Sequence, residues 1–249
     1  MRIQVITIFP DLFEGFLTTS LMGRAIEQGS LSITVHNLRD FSADRHQTVD
    51  DEPYGGGGGM VMQAPPWIKA VTEVAGETGP HRVLLSPQGA RLSDAKVCEL
   101  ATRKELLLLC GRYEGVDERV RQTVVDEEIS IGDYVLSGGE LPAMVVIEAL
   151  SRQIPGVVGR PESVDQDSFR HGLLDFPHYT RPRNVDGLKV PEVLLSGDHE
   201  AIRIWRLRQS LLATLEKRPE LLDNAELTAE QKKLLDEILM DSVTPGLER

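Results

Sequence analysis

Cysteine is scarce in this chain, with 2 in 249 residues, Cys98 and Cys110. So few thiols cannot make a disulfide framework, and no Cys/His spacing matches a zinc site. Both lie in apolar surroundings, which predicts buried free thiols and a reducing, cytoplasmic setting. Long apolar runs are also missing; none approaches the roughly 20 residues that a membrane helix needs, so no membrane partner is expected. The opening Met1-Arg2-Ile3-Gln4-Val5-Ile6 lacks the basic and extended apolar regions of a signal peptide and reads as a first strand. Basic residues are outnumbered, 27 Lys+Arg against 39 Asp+Glu, a net charge of −12. That balance argues against whole-protein attraction to nucleic acid. A phosphate-binding glycine fingerprint is absent too. The glycines at 55–59 do not give G-x-G-x-x-G, no strand directly precedes them, and no Gly-Lys-Ser/Thr follows.

What is present is enough apolar material, 41% of residues, to bury a sizeable core in one large domain or two ordinary ones. Strand patterns at 3–9, 31–38, 82–86, 106–110 and 129–136 alternate with a short helix starting at Pro10-Asp11 and helix patterns at 20–28, 65–75, 93–101, 117–125 and 140–154. This alternation predicts an α/β fold with a mostly parallel sheet and helices on both faces. Residues 155–171 have no periodicity and read as a linker. Beyond it, Asp198 is an N-cap, and Ile204, Leu207, Leu211 and Leu215 recur at helical spacing as a core stripe. Arg203, Arg206 and Ser210 are expected on the opposite side. Thr228-Ala229-Glu230-Gln231 is a capping box opening a last helix. Residues 181–218 carry 8 Lys/Arg against 5 Asp/Glu, a locally basic segment in an acidic chain.

The chain is organised around two stretches, Leu106 to Gly115 and Ser130 to Glu140. Each is an apolar run ending abruptly in glycine and a carboxylate. With Ser86-Pro87-Gln88-Gly89, expected to be a turn after its strand, they place three glycine-bearing loops at the carboxyl ends of neighbouring strands. That is where open α/β sheets bind ligands. The lining offers backbone groups, small residues and one or two aromatics, with no basic clamp beyond Arg112. It suits an adenosine-type ligand without a triphosphate. Residues 40–60 form a long loop, read either as a mobile linker or as a substrate lid with His46 and Asp50 as polar contacts.

At these residues the chain resembles the bacterial tRNA (guanine-N1)-methyltransferases of the SPOUT class, the TrmD family. The resemblance rests on Asp44-Arg45-His46 through Met60, Leu85 to Gly89, Cys110 to Arg119, Ser130 to Ala143, Ser151-Arg152, Asp167-Ser168-Phe169, Gly172 to Asp175, His178 to Pro182 and Leu194 to Gly197. Gly58 departs from it, since many members carry proline or alanine there. The resemblance implies a deep trefoil knot, a methyltransferase domain over 1–160, a flexible linker over 161–172 and a helical tRNA-binding domain over 173–249. It implies S-adenosylmethionine held by Leu85, Ser86, Pro87, Gly111, Tyr113, Glu114, Ile131, Gly132, Asp133, Tyr134, Val135, Leu136, Gly138, Gly139 and Pro142. It further implies magnesium, with Glu114 as its expected neighbour, and a homodimer whose active sites lie at the subunit interface.

The implied reaction is methyl transfer to N1 of the guanine at tRNA position 37, beside the anticodon. That N1 carries a proton at neutral pH, so a carboxylate is needed as general base. The resemblance gives this role to Asp167, and gives Arg152 the stabilisation of the charge that develops on O6. His46, Asp50, Gly57, Gly59, Ser163, Arg203 and Arg206 are the expected tRNA contacts, the arginines reaching backbone phosphates with Arg208, Lys217 and Arg218. Two other readings stay open: a methyltransferase of this class acting on another RNA, and a non-catalytic cofactor-binding protein associated with RNA.

Overall fold

The computed structural model describes residues 1–158 and 167–243. The chain divides into two compact units, Met1–Pro161 and Glu162–Arg249. Ser163 and much of the expected linker lie outside the described residues.

The first unit is built on a five-stranded sheet, β1 (Arg2–Thr7), β2 (Ser32–Asn37), β5 (His81–Arg91), β6 (Glu105–Cys110) and β7 (Glu127–Ser130). Its order is β2-β1-β6-β5-β7, and every pairing is parallel, as the alternation of elements predicts. The central strands are apolar on both sides because both faces are covered. Ile3, Val5, Leu106, Leu108 and Cys110 join one core, closed by Phe13, by Met22 of α2 (Ser20–Glu27), by Leu100 of α4 (Asp94–Ala101) and by Val146, Ile147 and Leu150 of α6 (Glu140–Ser151). Ile6, Leu107 and Leu109 join the other, closed by Trp67, Ala70 and Val71 of α3 (Ala64–Ala75) and Val120 and Val124 of α5 (Glu118–Val124). Cys110 is fully buried as expected, whereas Cys98 on α4 is only half-buried.

Two strand ends differ from expectation. The stretch Ser86-Pro87-Gln88-Gly89 does not end its strand. It leaves the ladder as a bulge, and the strand resumes beside β7 at Ala90 and Arg91. Conversely, β7 stops at Ser130, and 131–139 is irregular rather than extended. Glycines at 132, 138 and 139 and a ladder partner that has already ended explain the early stop. The loop at 40–60 is shorter than its sequence suggests. β3 (Asp50–Asp51) pairs antiparallel with β4 (Val61–Met62), and Val49 beside it is fully buried.

In the second unit, α7 (His199–Lys217) and α8 (Ala229–Val243) follow a small hairpin of β8 (Asn184–Val185) and β9 (Leu188–Lys189). Asp198 caps α7, accepting from the N–H groups of Glu200 and Ala201 at 3.1 and 3.0 Å. The capping box of α8 is reciprocal: the Thr228 N–H donates to Gln231 Oε1 at 2.7 Å and the Gln231 N–H to Thr228 Oγ1 at 3.2 Å. The core stripe of α7 is rotated from its expected position. Ile204 is exposed, while Ser210 and Thr214 are buried with Leu211. Thr214 is accommodated there because its hydroxyl donates to the Ser210 backbone carbonyl at 2.7 Å and accepts from the Leu174 N–H at 2.9 Å, so its polar group is satisfied inside.

Candidate active site

The bulge of β5 at 86–89 and the loops that follow β6 and β7 enclose one cavity of about 220 Å³. Its lining includes every residue that the resemblance assigns to the cofactor except Asp133. Asp133 instead pairs with Arg91 at 2.5 Å on the exposed surface.

Each loop has a local cause. In the first, Gly89 passes so close to β7 that a Cβ there would lie 2.3 Å from the Glu128 carbonyl carbon. The Ser86 hydroxyl accepts from the Gln88 N–H at 3.1 Å and holds the bulge. In the second, Tyr113 has φ +61° and Gly115 φ +125°, a reversal closed by the Gly115 N–H on Arg112 O at 3.1 Å. In the third, the Ser130 hydroxyl donates to Gly132 O and accepts from the Gly132 N–H, at 3.0 and 3.2 Å. The second and third loops meet directly. The Gly139 N–H donates to Gly111 O at 2.9 Å, and Arg112 bridges Gly138. Tyr113 and Tyr134 stand half-exposed at the opening.

The charged groups of the lining are engaged with each other's neighbours. Arg112 Nε donates to Glu140 Oε2 at 2.9 Å, and Arg121 Nη1 donates to Glu128 Oε2 and to Gln88 Oε1, both at 2.6 Å. Neither guanidinium is left for a polyphosphate, which agrees with a phosphate-free adenosine ligand. Burial, then the nearby Glu140 charge, pushes the Cys110 thiol well up, so it stays protonated and unreactive. Arg112, Arg121, Gln88, Ser137 and the buried Glu140 are site residues that the sequence expectation did not assign. Arg112 is legible in the sequence as the basic group of the expected lining, and Glu140 only as the end of the second organising stretch.

The glycine run ends on this site. A Cβ at Gly59 would fall within 2.4–2.9 Å of the Glu114 side chain, and the Glu114 N–H donates to Met60 O at 3.0 Å. His46, Asp50, Gly57 and Gly59 do not line the cavity. His46 sits in an exposed turn held by Asp44, whose carboxylate accepts from the Thr48 hydroxyl at 2.5 Å. That hydrogen bond, with the His46 backbone, holds Asp44 below the usual carboxylate range. Among the described residues, no group of three or more His, Cys, Asp or Glu side chains is placed to hold a metal. Glu114 is a single carboxylate at the rim.

Arg152 caps the carboxyl end of α6 in the first unit, half-buried. Asp167 belongs to the second unit, where it lines a separate cavity of about 620 Å³ with His171, Asp175, Phe176, His199 and Arg206. The cations expected on RNA are largely paired within that unit. Arg203 donates to Glu200 and Glu230 at 2.6–2.9 Å, Arg208 pairs with Asp241 at 2.6 Å, and Arg218 pairs with Glu220. Arg206 lies over the Phe176 ring at 4.9 Å, and Phe176 packs against His178 with ring centroids 4.7 Å apart. This ring-and-guanidinium surface was not read from the sequence, because its members are 30 residues apart.

The family model described as tRNA (Guanine-1)-methyltransferase TrmD matches residues 1–224. Three similar relatives are each named tRNA (guanine-N(1)-)-methyltransferase. That of Actinobacillus succinogenes is 54% identical over 98% of this chain and 100% of its own length. That of Aeromonas hydrophila is 56% identical over 97% of this chain and 98% of its own. That of Pelotomaculum thermopropionicum is 54% identical over 96% of both.

Proposed function

The chain belongs to the tRNA (guanine-1)-methyltransferase TrmD family, and from that premise we propose that it methylates N1 of the guanine at tRNA position 37, using S-adenosylmethionine. The observation that carries this reading is the cavity built from the bulge of β5 and the loops that follow β6 and β7. Main-chain groups and tyrosines line it, and its arginines are occupied by Glu140 and Glu128. Such a lining fits an adenosine carrying no phosphates. When bound, S-adenosylmethionine supplies an electrophilic methyl group on a sulfonium sulfur.

The protein's part is to position and deprotonate the base. Asp167 would take the N1 proton and so make N1 the nucleophile that a bound methyl donor can alkylate. The Arg152 guanidinium offsets the charge that develops on O6 and cannot lose its own proton there. In the second unit, Arg206 over Phe176 beside His178 offers a stacking surface for a splayed loop base. Arg203 can exchange its carboxylate partners for phosphates, since those ion pairs are exposed and weak. Glu114 alone does not make a magnesium site. A magnesium ion beside it would need several waters and oxygens of the bound substrate to complete its coordination.

We include in this reading the knotted SPOUT path and a homodimer. The mutual contact of the loops at Gly111 and Gly139 supports the first. Leu141 and Val145, one turn apart on α6, are exposed, as are Phe9 and Leu12, and they support a second copy covering that face. As a tRNA-modifying enzyme, it would act in the cytoplasm. The test is transfer of labelled methyl from S-adenosylmethionine to tRNA transcripts with guanine or adenine at position 37. Label confined to the guanine transcript is expected; label independent of that base, or none, overturns the reading.

A further inference from the structure

Glu140 is 1% exposed, yet it is a carboxylate in a protein that has ample apolar residues for such a place. Burying a charge costs several kcal/mol unless its partners are well placed, so its surroundings should hold a reason for it. Both carboxylate oxygens are used. Oε1 accepts from the Thr7 hydroxyl at 2.7 Å and Oε2 from Arg112 Nε at 2.9 Å. Thr7 Oγ1 also accepts from the Phe9 N–H at 2.9 Å, and the Phe9 ring lies under the Arg112 guanidinium at 4.5 Å. The contacts therefore close into a ring: Glu140, Thr7, Phe9, Arg112 and back to Glu140. It joins the end of β1, the loop after β6 and the start of α6, three pieces remote in sequence. Glu140 is also the first residue of α6, where the positive end of the helix dipole favours a carboxylate.

This ring adjoins the cavity: Arg112 is part of the lining, and Glu140 stands behind Gly138. A Cβ at Gly138 would lie 2.2 Å from Arg112 Nε and 2.5 Å from Glu140 Oε2. The ion pair thus fills the space behind Gly138, and Gly138 and Gly139 line the cavity. Arg112 also reaches Ser137 Oγ at 3.4 Å. We infer that the Glu140–Thr7–Arg112 cluster is a positioning device for the methyl donor, fixing how closely the loops at 111–115 and 137–139 approach each other. Glu140 and Thr7 do not line the cavity and act through Arg112 and the main chain of the two loops. The inference rests on the reading that the cavity holds S-adenosylmethionine.

The experiment compares wild type, Glu140→Gln, Thr7→Val and Thr7→Ser, each full-length and checked for a cooperative melt. Calorimetric titration gives the affinity for S-adenosylmethionine, and steady-state kinetics give KM for donor and for tRNA separately. Thr7→Val keeps the shape and removes only the hydroxyl, so it serves even where Glu140→Gln does not fold. Glu140→Gln weakens one charge-assisted hydrogen bond and Thr7→Val removes two hydrogen bonds, to Glu140 and from the Phe9 N–H, so donor binding is expected to weaken about tenfold in the first and at least as much in the second, with KM for tRNA within about twofold. Thr7→Ser, which restores a hydroxyl, is expected to recover most of the affinity. Folded variants that bind donor as wild type does, or that lose donor and tRNA affinity equally, overturn the inference. A wild-type protein that does not bind S-adenosylmethionine overturns the parent reading, and this inference with it.

Discussion

Replacing Gly139 by alanine tests the site at its tightest point. A Cβ at 139 would lie 2.7 Å from Cys110 Cα and 3.2 Å from the Cys110 carbonyl carbon. Both are main-chain atoms in a fully buried strand, so no rotamer change relieves the clash. The start of α6 must withdraw from the end of β6, and the 2.9 Å bond from the Gly139 N–H to Gly111 O goes with it. Overpacking costs about 1–3 kcal/mol and the lost hydrogen bond about 1 kcal/mol, together roughly 2–4 kcal/mol. For a chain of this size that lowers Tm by roughly 5–15 °C. Because the two separated loops wall the cavity, donor affinity falls as well. Gly58→Ala is the matched control: its φ is ordinary and nothing lies within 4 Å of the added carbon. Differential scanning calorimetry with and without S-adenosylmethionine reads both variants. A Gly139→Ala protein with Tm within 2 °C of wild type and an unchanged donor-induced shift would refute the packing argument (roughly the scatter of surface substitutions).

Asp167→Ala should lower methyl transfer about 10²- to 10⁴-fold while the donor still raises Tm, read by labelled-methyl transfer beside a thermal scan; near-normal turnover removes Asp167 as the base. Asp133→Ala should leave donor affinity within about twofold, because Asp133 spends its charge on exposed Arg91 outside the cavity; a larger loss in calorimetric titration would return it to the site. Arg82 holds the Asp126 carboxyl below the usual carboxylate range. The stability this adds is complete above an unfolded pKa of about 3.9 and is lost as pH falls through the folded value. Asp126→Asn should therefore flatten the fall of Tm below about pH 4, and parallel acid limbs for variant and wild type would contradict that.

The sheet and the cavity were legible for one physical reason. Strands buried on both faces must be apolar throughout, and loops that hold a ligand with main-chain atoms must be glycine-rich where they crowd each other. Leu106–Cys110 and Gly138-Gly139 obey both constraints, and each is local in sequence. The bulge at Ser86–Gly89 was misread as a terminal turn because the same residues serve both, and only the neighbouring strand decides whether the ladder resumes. The buried side of α7 includes Thr214, whose hydroxyl is satisfied by the Ser210 carbonyl and by the Leu174 N–H 40 residues away, a partner that helical spacing does not reveal.

Charge was the least legible quantity, and the two units show why. A basic count over 181–218 predicts phosphate contacts, yet Arg203 finds Glu230 27 residues away and Arg208 finds Asp241 33 residues away. In the first unit the same kind of distant pairing sets the buried Glu140 against Arg112 of the cavity lining, 28 residues away. An exposed pair such as Arg203–Glu230 is worth under about 1 kcal/mol and can be exchanged for another anion. A buried pair such as Arg112–Glu140 cannot be traded, since removing either partner strands a charge away from water at a cost of about 3–5 kcal/mol. Sequence reports the presence of both kinds of arginine equally. Burial separates the one that can reach for a substrate from the one that fixes where another ligand lies.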